Sequence, residues 1–234
     1  MAKKEYVRAM FDGIAPSYDR LNHLLSLDVD RLWRRHALRW IVDGGAQRIL
    51  DVACGTGDST VAIARAAGEG SHVIGADISE GMMARVREKA EKAGVDGRIS
   101  LVVADGENLP WEEGSFDRVT CAFGIRNFEH KELGLKEFHR VLVPGGRVVI
   151  LELSLPRNRV LRGLYDLYFR RILPAIGGRI SGNREAYRYL PASVHGFPAP
   201  AVFSGMMEEA GFRDVRVRSM TFGLCRLFTG EKDG

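Results

Sequence analysis

A strand that ends in a glycine turn constrains the fold of this chain more than any other feature. The apolar run at 49–53 predicts a buried strand, Gly55-Thr56-Gly57 follows it, and small and apolar residues at 58–67 predict a helix. Strand, glycine turn and helix in this order begin a nucleotide-binding βαβ unit. Glycine suits such a turn because it adopts left-handed backbone conformations and lets a ligand approach the main chain. The turn alone does not say which ligand binds.

Further strands follow, each separated from the last by a helix or a long crossover. They are predicted at 72–76, 100–103, 116–122 and 147–153. This alternation predicts a parallel sheet that helices cover on both faces. A helix at 200–210 then precedes strands at 215–219 and 224–229, whose connection is too short for a crossover helix, so we expect an antiparallel hairpin. The predicted fold class is α/β, with a mostly parallel, doubly wound sheet, a C-terminal antiparallel hairpin and an N-terminal helical lid.

The N-terminal region is predicted to be helical. Gly13 and Pro16 are expected to interrupt a continuous helix, and Asp30 is predicted to cap a second one. The periodicity favours a pad packed on the sheet, whereas the aromatic and polar groups around Tyr18 and His23 favour a lid. We expect a single domain over 1–234, made of a helical cap at 1–45, a cofactor-binding core at 46–154, a helical insertion at 155–198, and a C-terminal helix and hairpin at 199–234.

Composition excludes several classes of protein. The three cysteines, Cys54, Cys121 and Cys225, are an odd number at wide spacing, which excludes a disulfide framework and indicates a reducing compartment. No cysteines and histidines have the spacing of a metal site, so no metal is expected. The sequence has neither a signal peptide nor an apolar run long enough to span a membrane, and we therefore expect a cytoplasmic protein.

Positive charge is concentrated in one segment. The net charge is +4, and residues 155–190 contain eight arginines, no lysine and only two acids. A helical apolar stripe runs through the segment, with arginines beside it, and is formed by Leu161, Leu164, Tyr165, Tyr168 and Ile172. Three interpretations remain open: a core helix with a solvated basic face, an RNA-binding surface, and an interfacial helix on an anionic membrane.

Acidic residues end the second and third predicted strands. Asp77 lies about twenty residues after Gly57, the separation at which a carboxylate meets ribose hydroxyls, and Asp105 can accept a hydrogen bond from an amine. Each aspartate could instead only shape a turn, but suitable groups at three strand ends together predict a ligand site. A dinucleotide normally requires a third glycine near its pyrophosphate, whereas Asp58 follows Gly57 here. An acid is tolerable beside a cation, which favours S-adenosylmethionine, a sulfonium that carries no phosphate.

The motif Leu50-Asp-Val-Ala-Cys-Gly-Thr-Gly resembles the first motif of class I S-adenosylmethionine-dependent methyltransferases. Four further blocks resemble one family, the C-methyltransferases of ubiquinone and menaquinone biosynthesis, and they span nearly the whole chain. The blocks are Tyr18-Asp-Arg-Leu-Asn-His-Leu-Leu-Ser26 running to Trp33, Phe123-Gly-Ile-Arg-Asn-Phe128, Arg140-Val-Leu-Val-Pro-Gly-Gly through Glu152-Leu-Ser154, and Ile176-Gly-Gly with Glu185-Ala-Tyr-Arg-Tyr-Leu-Pro191 and Phe197-Pro198. The family usually has Met, His and Lys where this chain has Leu21, Asp30 and Val143.

The resemblance implies that several residues contact the cofactor and that Tyr18 is a lid residue near the methionine end of the cofactor. With the glycines of the turn, the predicted cofactor-binding residues are Tyr18, Gly55, Thr56, Gly57, Asp77, Asp105 and Gly106. Methylation of a quinol ring carbon requires a deprotonated hydroxyl, and an arginine beside that oxygen lowers the cost of its charge. Arg126 and Asn127 are therefore the predicted catalytic residues, the alternative being that Arg126 forms a structural ion pair. Candidates for the general base are His23, Asp19 and His195.

The resemblance implies transfer of a methyl group from S-adenosylmethionine to demethylmenaquinol, which gives menaquinol, because the Ile176-Gly-Gly and Ser181-Gly-Asn blocks look more like the menaquinone members of the family. The alternatives are methylation of the benzoquinol precursor of ubiquinone, an RNA or other small-molecule methyltransferase, and a non-catalytic cofactor-binding module. The expected partners are a prenylated quinol and the surface of an anionic membrane, with no nucleic acid, and a homodimer is the expected assembly.

Overall fold

A seven-stranded sheet forms the centre of the computed structural model, which describes residues 3–156, 158–168 and 184–234. Its strands are β1 (Arg48–Val52), β2 (His72–Asp77), β3 (Ile99–Val103), β4 (Phe116–Ala122), β5 (Leu142–Leu153), β6 (Arg213–Met220) and β7 (Cys225–Glu231). They lie in the order β3-β2-β1-β4-β5-β7-β6. The first five strands are parallel, and β7 pairs antiparallel with both β5 and β6. The predicted α/β class, with a mostly parallel sheet and a C-terminal hairpin, is confirmed.

The described helices surround this sheet. They are α1 (Lys3–Ser26), α2 (Val29–Ile41), α3 (Asp58–Ala66), α4 (Glu80–Ala93), α5 (Lys131–Val141), α6 (Arg159–Leu167), α7 (Arg184–His195) and α8 (Pro200–Glu209). Ile172 and the Ile176-Gly-Gly and Ser181-Gly-Asn blocks, on which parts of the predicted stripe and of the family resemblance rest, lie outside the described residues. None of the described helices has both the length and the apolar character needed to cross a membrane.

Alternating side chains of the strands form two separate cores. Ile49 and Val149 face the core that α2 and α3 cover, whereas their neighbours Leu50 and Val148 face the core that α5 and α8 cover. This alternation follows from the two-residue period of a strand. Both faces of the central strands are therefore buried, which explains why these strands are continuous apolar runs in the sequence.

The first helix differs from its prediction. Gly13 and Pro16 were expected to break it, but α1 continues from Lys3 to Ser26 with Pro16 inside. A proline within a helix removes one hydrogen bond and costs about 3 kcal/mol. Packing offsets this cost, because Met10 and Ile14 on the adjacent turns are buried in a cluster of aromatic side chains.

The start of the second helix also differs. Asp28 rather than Asp30 precedes α2, and its side chain makes no capping hydrogen bond. Asp30 lies inside the first turn, is buried, and accepts a hydrogen bond of 2.6 Å from Ser26 Oγ. The turn between the two helices has left-handed backbone at both Leu27 (φ 53°) and Asp28 (φ 59°). Helix α2 then packs on β4, β5 and β7 as a pad, whereas α1 packs on α4, α2 and α7.

Candidate active site

The glycine turn after β1 meets the start of α4. Gly57 precedes α3 with a left-handed backbone (φ 85°), and a Cβ added there would lie 2.6 Å from Val86 Cγ1. Gly55 is also left-handed (φ 56°), but the nearest atom to an added Cβ is Met82 Cε at 3.8 Å. Close packing against α4 therefore requires glycine at position 57, whereas the backbone conformation alone favours it at 55.

A cavity of ≈ 100 Å³ lies at the carboxyl ends of the parallel strands, and we call it the strand-end cavity. Six of the seven predicted cofactor-binding residues line it: Tyr18, Gly55, Thr56, Asp77, Asp105 and Gly106. The seventh, Gly57, is not part of the lining. This is the position at which open parallel sheets bind their ligands.

Asp77 and Asp105 shape turns as well as lining the strand-end cavity. The Asp77 carboxylate accepts hydrogen bonds from Gly55 N (2.8 Å) and Ser79 N (2.9 Å). Burial raises the pKa of Asp77, although these N–H groups partly oppose the rise. Asp105 accepts a hydrogen bond of 3.1 Å from Glu107 N. The alternative of a turn-forming role is thus compatible with a place in the lining.

Polar side chains of α1 reach across to the strand-end cavity. Lys4 Nζ forms an ion pair with Asp105 Oδ2, and Thr56 Oγ1 donates a hydrogen bond to Asp19. Ser79 Oγ donates to Asp12 Oδ1 at 2.5 Å. Helix α1 thus acts as a cover of the strand ends, as a lid does, while α2 is the pad.

A second and larger cavity adjoins the first. Its volume is ≈ 500 Å³, and we call it the apolar cavity because aliphatic and aromatic side chains form most of its walls. These walls come from α1, α2, α6, α7, the loop after β4 and the β6–β7 turn. Phe11, Tyr18 and Phe123 line both cavities. Tyr18 therefore lies at the junction, where a group in one cavity is next to a group in the other.

Arg126 is the principal charged group beside the apolar cavity. Its Nη1 donates to Glu152 Oε1 at 2.8 Å and to the carbonyl of Phe123, and its backbone N donates to Glu152 Oε2 at 3.1 Å. Glu152 is fully buried, so the structural ion pair that was the alternative for Arg126 does form. Arg126 Nε has no hydrogen-bond partner among the described residues, and the residue lines the apolar cavity. The ion pair with Glu152 therefore does not use Nε, which is buried in the wall of the loop.

The charges around Arg126 affect one another. Burial lowers the pKa of its guanidinium, but the carboxylate of Glu152 and the hydroxyl of Tyr18 outweigh this effect, and the net pKa is raised. Arg126 is thus a fixed cation. Burial raises the pKa values of Tyr18 and Tyr189, and the nearby charge of Arg126 opposes the rise in both.

Asn127 faces a different cavity from Arg126. It lines the strand-end cavity, where its Oδ1 is buried without a hydrogen-bond partner among the described residues. The two residues belong to one short 3₁₀ turn, Ile125–Asn127, in which successive side chains point about 120° apart. The structure therefore separates the two predicted catalytic residues, one to each cavity.

None of the three candidate bases lines the apolar cavity. Asp19 forms an ion pair with Lys89 (2.6 Å), and His195 forms one with Asp166 (2.9 Å). His23 lies between Asp30 (3.1 Å) and Asp58 (3.2 Å), and these three residues are the one group among the described residues that could hold a metal ion. The side chains of the group already contact one another, so the group carries no assignment.

Three residues of the site were missed in the sequence. Asp51 lines the strand-end cavity, Arg34 lies over the Phe123 ring at 4.9 Å, and Glu152 holds Arg126. Asp58, the acid that the sequence places beside a cationic ligand, also lines this cavity. Burial raises the pKa of Asp51 to about 6, and a 2.6 Å hydrogen bond from Thr60 partly opposes this. Glu152 had a readable signal, since it ends an apolar strand as Asp77 does.

The lining of the strand-end cavity fits S-adenosylmethionine. It contains six carboxylates but only two basic groups, Lys4 and Arg34. Two acceptors in it, Asp51 Oδ1 and Asn127 Oδ1, are buried without a partner among the described residues. Such a lining suits a ligand that brings N–H donors and positive charge, and it would repel a diphosphate.

Comparison with known proteins gives a consistent result at the level of sequence. The family model described as the ubiE/COQ5 methyltransferase family matches residues 1–232. The "Ubiquinone/menaquinone biosynthesis C-methyltransferase UbiE" of Geobacter sulfurreducens is 48% identical over 230 residues, which cover 98% of this chain and 90% of that protein. The "Demethylmenaquinone methyltransferase" of Thermus thermophilus is 47% identical over 223 residues, which cover 95% of this chain and 100% of that protein.

Solved structures share the fold at low sequence identity. The [4+2]-cyclase SpnF has a TM-score of 0.72 at 17% sequence identity, with 98% of this chain and 96% of that chain covered. A SAM-dependent methyltransferase from Aquifex aeolicus has a TM-score of 0.62 at 18% identity, with 85% and 88% covered. These likenesses concern the fold alone. The family model and the relatives extend over nearly the whole chain, and this chain therefore belongs to the ubiE/COQ5 methyltransferase family.

Proposed function

We propose that this chain transfers a methyl group from S-adenosylmethionine to a ring carbon of demethylmenaquinol. The observation that carries the proposal is the pair of adjoining cavities that share Phe11, Tyr18 and Phe123. One cavity has an acidic lining that suits a sulfonium and an amine. The other is large and apolar, with a cation in its wall, which suits an aromatic quinol with a prenyl tail.

S-adenosylmethionine supplies an electrophilic methyl group on a positively charged sulfur. In the transfer the S–CH3 bond breaks as the bond from the ring carbon to the methyl group forms, and the ring carbon then loses its proton. The residues of this chain contribute alignment of the two reactants at the junction and exclusion of water by α1.

Besides alignment and the exclusion of water, the chain contributes electrostatic stabilisation. The ring carbon is nucleophilic only in the reduced quinol with one hydroxyl deprotonated, and a nearby cation lowers the cost of that oxyanion. Arg126 supports this role because the residue lines the apolar cavity and its buried Nε has no hydrogen-bond partner among the described residues. Glu152 then acts as a positioning residue, since it fixes the guanidinium without entering the cavity lining.

This assignment gives different segments of the chain different roles. We propose that a core at 46–154 holds the donor, that the cap at 1–45 and the insertion at 155–198 select the acceptor, and that 199–234 completes the sheet within one domain. Tyr18 supports the part played by the cap, since it reaches both cavities.

Labelled methyl transfer tests the proposal directly. Purified protein and S-adenosylmethionine labelled on the methyl group are incubated with reduced demethylmenaquinone, with the reduced benzoquinol precursor of ubiquinone, and with bulk RNA. Label in the naphthoquinol above that in the benzoquinol supports the proposal, equal label means that both quinols are substrates, and label in RNA alone or in nothing overturns it. Relatives named demethylmenaquinone methyltransferase, from Thermus thermophilus and Bacteroides fragilis, favour the first outcome.

A quinol with a long prenyl tail is held in a membrane, so we propose that this chain works as a peripheral protein on the cytoplasmic side of an anionic membrane and does not bind nucleic acid. A homodimer remains a prediction, which sedimentation velocity of the purified protein checks.

A further inference from the structure

The rim of the apolar cavity exposes large apolar side chains on turns that are strained. Leu27 is 80% exposed and Phe222 is 81% exposed, and both line the cavity where it opens. Leu27 lies in the α1–α2 turn with φ 53°, and Phe222 lies in the β6–β7 turn with φ 56°. A side chain other than glycine costs conformational energy in this left-handed region. Each of these two turns therefore has an unfavourable backbone conformation and exposes a large apolar side chain to solvent.

Helix α6 forms a third side of this rim. At roughly 100° per residue, Leu161, Tyr165 and Tyr168 form one row, and all three line the apolar cavity. Val160, Leu164 and Leu167 form the adjacent row, which is 72%, 59% and 48% exposed, and of the three only Leu164 also lines the cavity. The apolar surface of α6 is thus wider than the cavity wall requires, and half of it faces solvent.

Basic side chains lie beside the outer row of α6, whereas Asp28, next to Leu27, forms an ion pair with Arg31 at 3.1 Å. Arg159 and Arg162 are exposed on the remaining face of α6, and neither takes part in an ion pair with any residue that the structure describes. The one acid of α6, Asp166, lies 2.9 Å from His195 Nε2. An apolar face flanked by exposed arginines matches the boundary of an anionic bilayer, in which acyl chains lie beneath phosphate groups.

We propose that this rim docks on an anionic lipid bilayer, with Leu27, Phe222 and the outer row of α6 inserted below the phosphates and Arg159 and Arg162 paired with them. The inference rests on the proposed function in one respect, since it explains how a prenyl tail passes from the bilayer into the cavity. The mouth of the cavity opens within the inserted rim, so the tail stays in an apolar environment throughout. The quinol head alone moves to the junction at Tyr18.

Vesicle co-sedimentation tests the docking surface without any quinone or methyl donor, so its outcome is separate from that of the methyl-transfer assay. Wild-type protein is expected to bind vesicles of phosphatidylglycerol and phosphatidylcholine at low salt. L27N/F222N is expected to lose about tenfold in vesicle affinity for each side chain. Its melting temperature should stay equal or rise, because asparagine tolerates the left-handed backbone. V202S, at an exposed valine of α8, is the matched control and should bind like wild type.

Two further variants separate the apolar and the ionic contributions. V160S/L167S removes outer-row side chains that do not line the cavity and should weaken binding to any vesicle. R159Q/R162Q should lose about fivefold per arginine on anionic vesicles and nothing on phosphatidylcholine alone, whereas R65Q/R87Q on α3 and α4 should change neither. Wild-type protein that ignores anionic vesicles, or rim variants that bind as wild type does, would overturn the proposal. So would self-association without lipid that L27N/F222N abolishes, because a second copy would then cover the rim.

Discussion

Removing one partner of the buried Arg126–Glu152 pair separates a structural role of Arg126 from a chemical one. Glu152 is fully buried and Arg126 nearly so, and they are joined at 2.8 Å. Leaving one charge of such a pair without its partner costs about 3–5 kcal/mol. R126Q should lie at the lower end of this range, because two backbone N–H groups, those of Arg126 (3.1 Å) and Leu153 (2.8 Å), still donate to the carboxylate. E152Q should cost a similar amount, since a neutral amide leaves the buried guanidinium without its counter-charge.

The two variants should differ in turnover although they resemble each other in stability. If the guanidinium stabilises the oxyanion of the quinol, R126Q loses about 10²–10³-fold in kcat, while E152Q retains the cation and loses about tenfold or less. The affinity for S-adenosylmethionine should stay near normal in both, because neither residue lines the strand-end cavity.

The assay combines two measurements. Urea unfolding followed by tryptophan fluorescence gives the stability, and labelled methyl transfer at a temperature where both variants are folded gives kcat. Equal fractional losses of kcat in R126Q and E152Q would mean that the pair only supports the loop. An unchanged kcat in R126Q would refute the chemical role altogether.

Five other variants test three separate features. G57A should destabilise the protein by about 2 kcal/mol or more and G55A by about 1 kcal/mol, because only position 57 adds a clash at 2.6 Å to its left-handed backbone; thermal melts that rank them the other way contradict this. Asp51, with a pKa of about 6 in the folded protein against 3.8 as its ordinary value, should make the wild type lose stability as pH rises from about 4 to 6, since the folded state then holds the extra proton. D51N should therefore gain up to about 3 kcal/mol relative to wild type between pH 4 and pH 7, and a constant difference in urea midpoints would exclude this. L27N and F222N should each raise the unfolding free energy by about 0.5–1 kcal/mol as strain is relieved, and a fall of that size would show that their side chains support the fold.

The strands could be predicted because their signals are local. The apolar run before Gly55 and the run that ends in Asp77 are each complete within a few residues, and both strands lie where they were predicted. The effect of Pro16 was predicted wrongly because the hydrogen bond that a proline removes is visible in the local sequence, whereas the tertiary packing that offsets this loss is not. The packing of Met10 and Ile14 against aromatic residues from distant parts of the chain keeps α1 intact.

The candidate site could be predicted residue by residue but not as an arrangement. The sequence places Arg126 and Asn127 side by side, and only the geometry of a 3₁₀ turn sends them to different cavities. Similarly, nothing within the loop after β4 indicates that Arg126 meets Glu152, because the pairing depends on the register of β4 with β5. Contacts between strands distant in sequence are fixed by tertiary structure, which a single sequence does not display.

Helix α1 lines both cavities, so a movement of this one helix would affect the binding of both the methyl donor and the quinol. Phe11 and Tyr18 of α1 belong to both walls, and Lys4 and Asp19 of the same helix hold Asp105 and Thr56 at the strand ends. If the donor is enclosed by α1 and the quinol enters from the rim, as we propose, the reaction should be ordered: the donor binds first and its demethylated product leaves last. S-adenosylhomocysteine should then inhibit competitively against the donor and non-competitively against the quinol. Its departure, which waits for α1 to move, would set the rate of each cycle and produce a burst of methylated quinol in the first turnover.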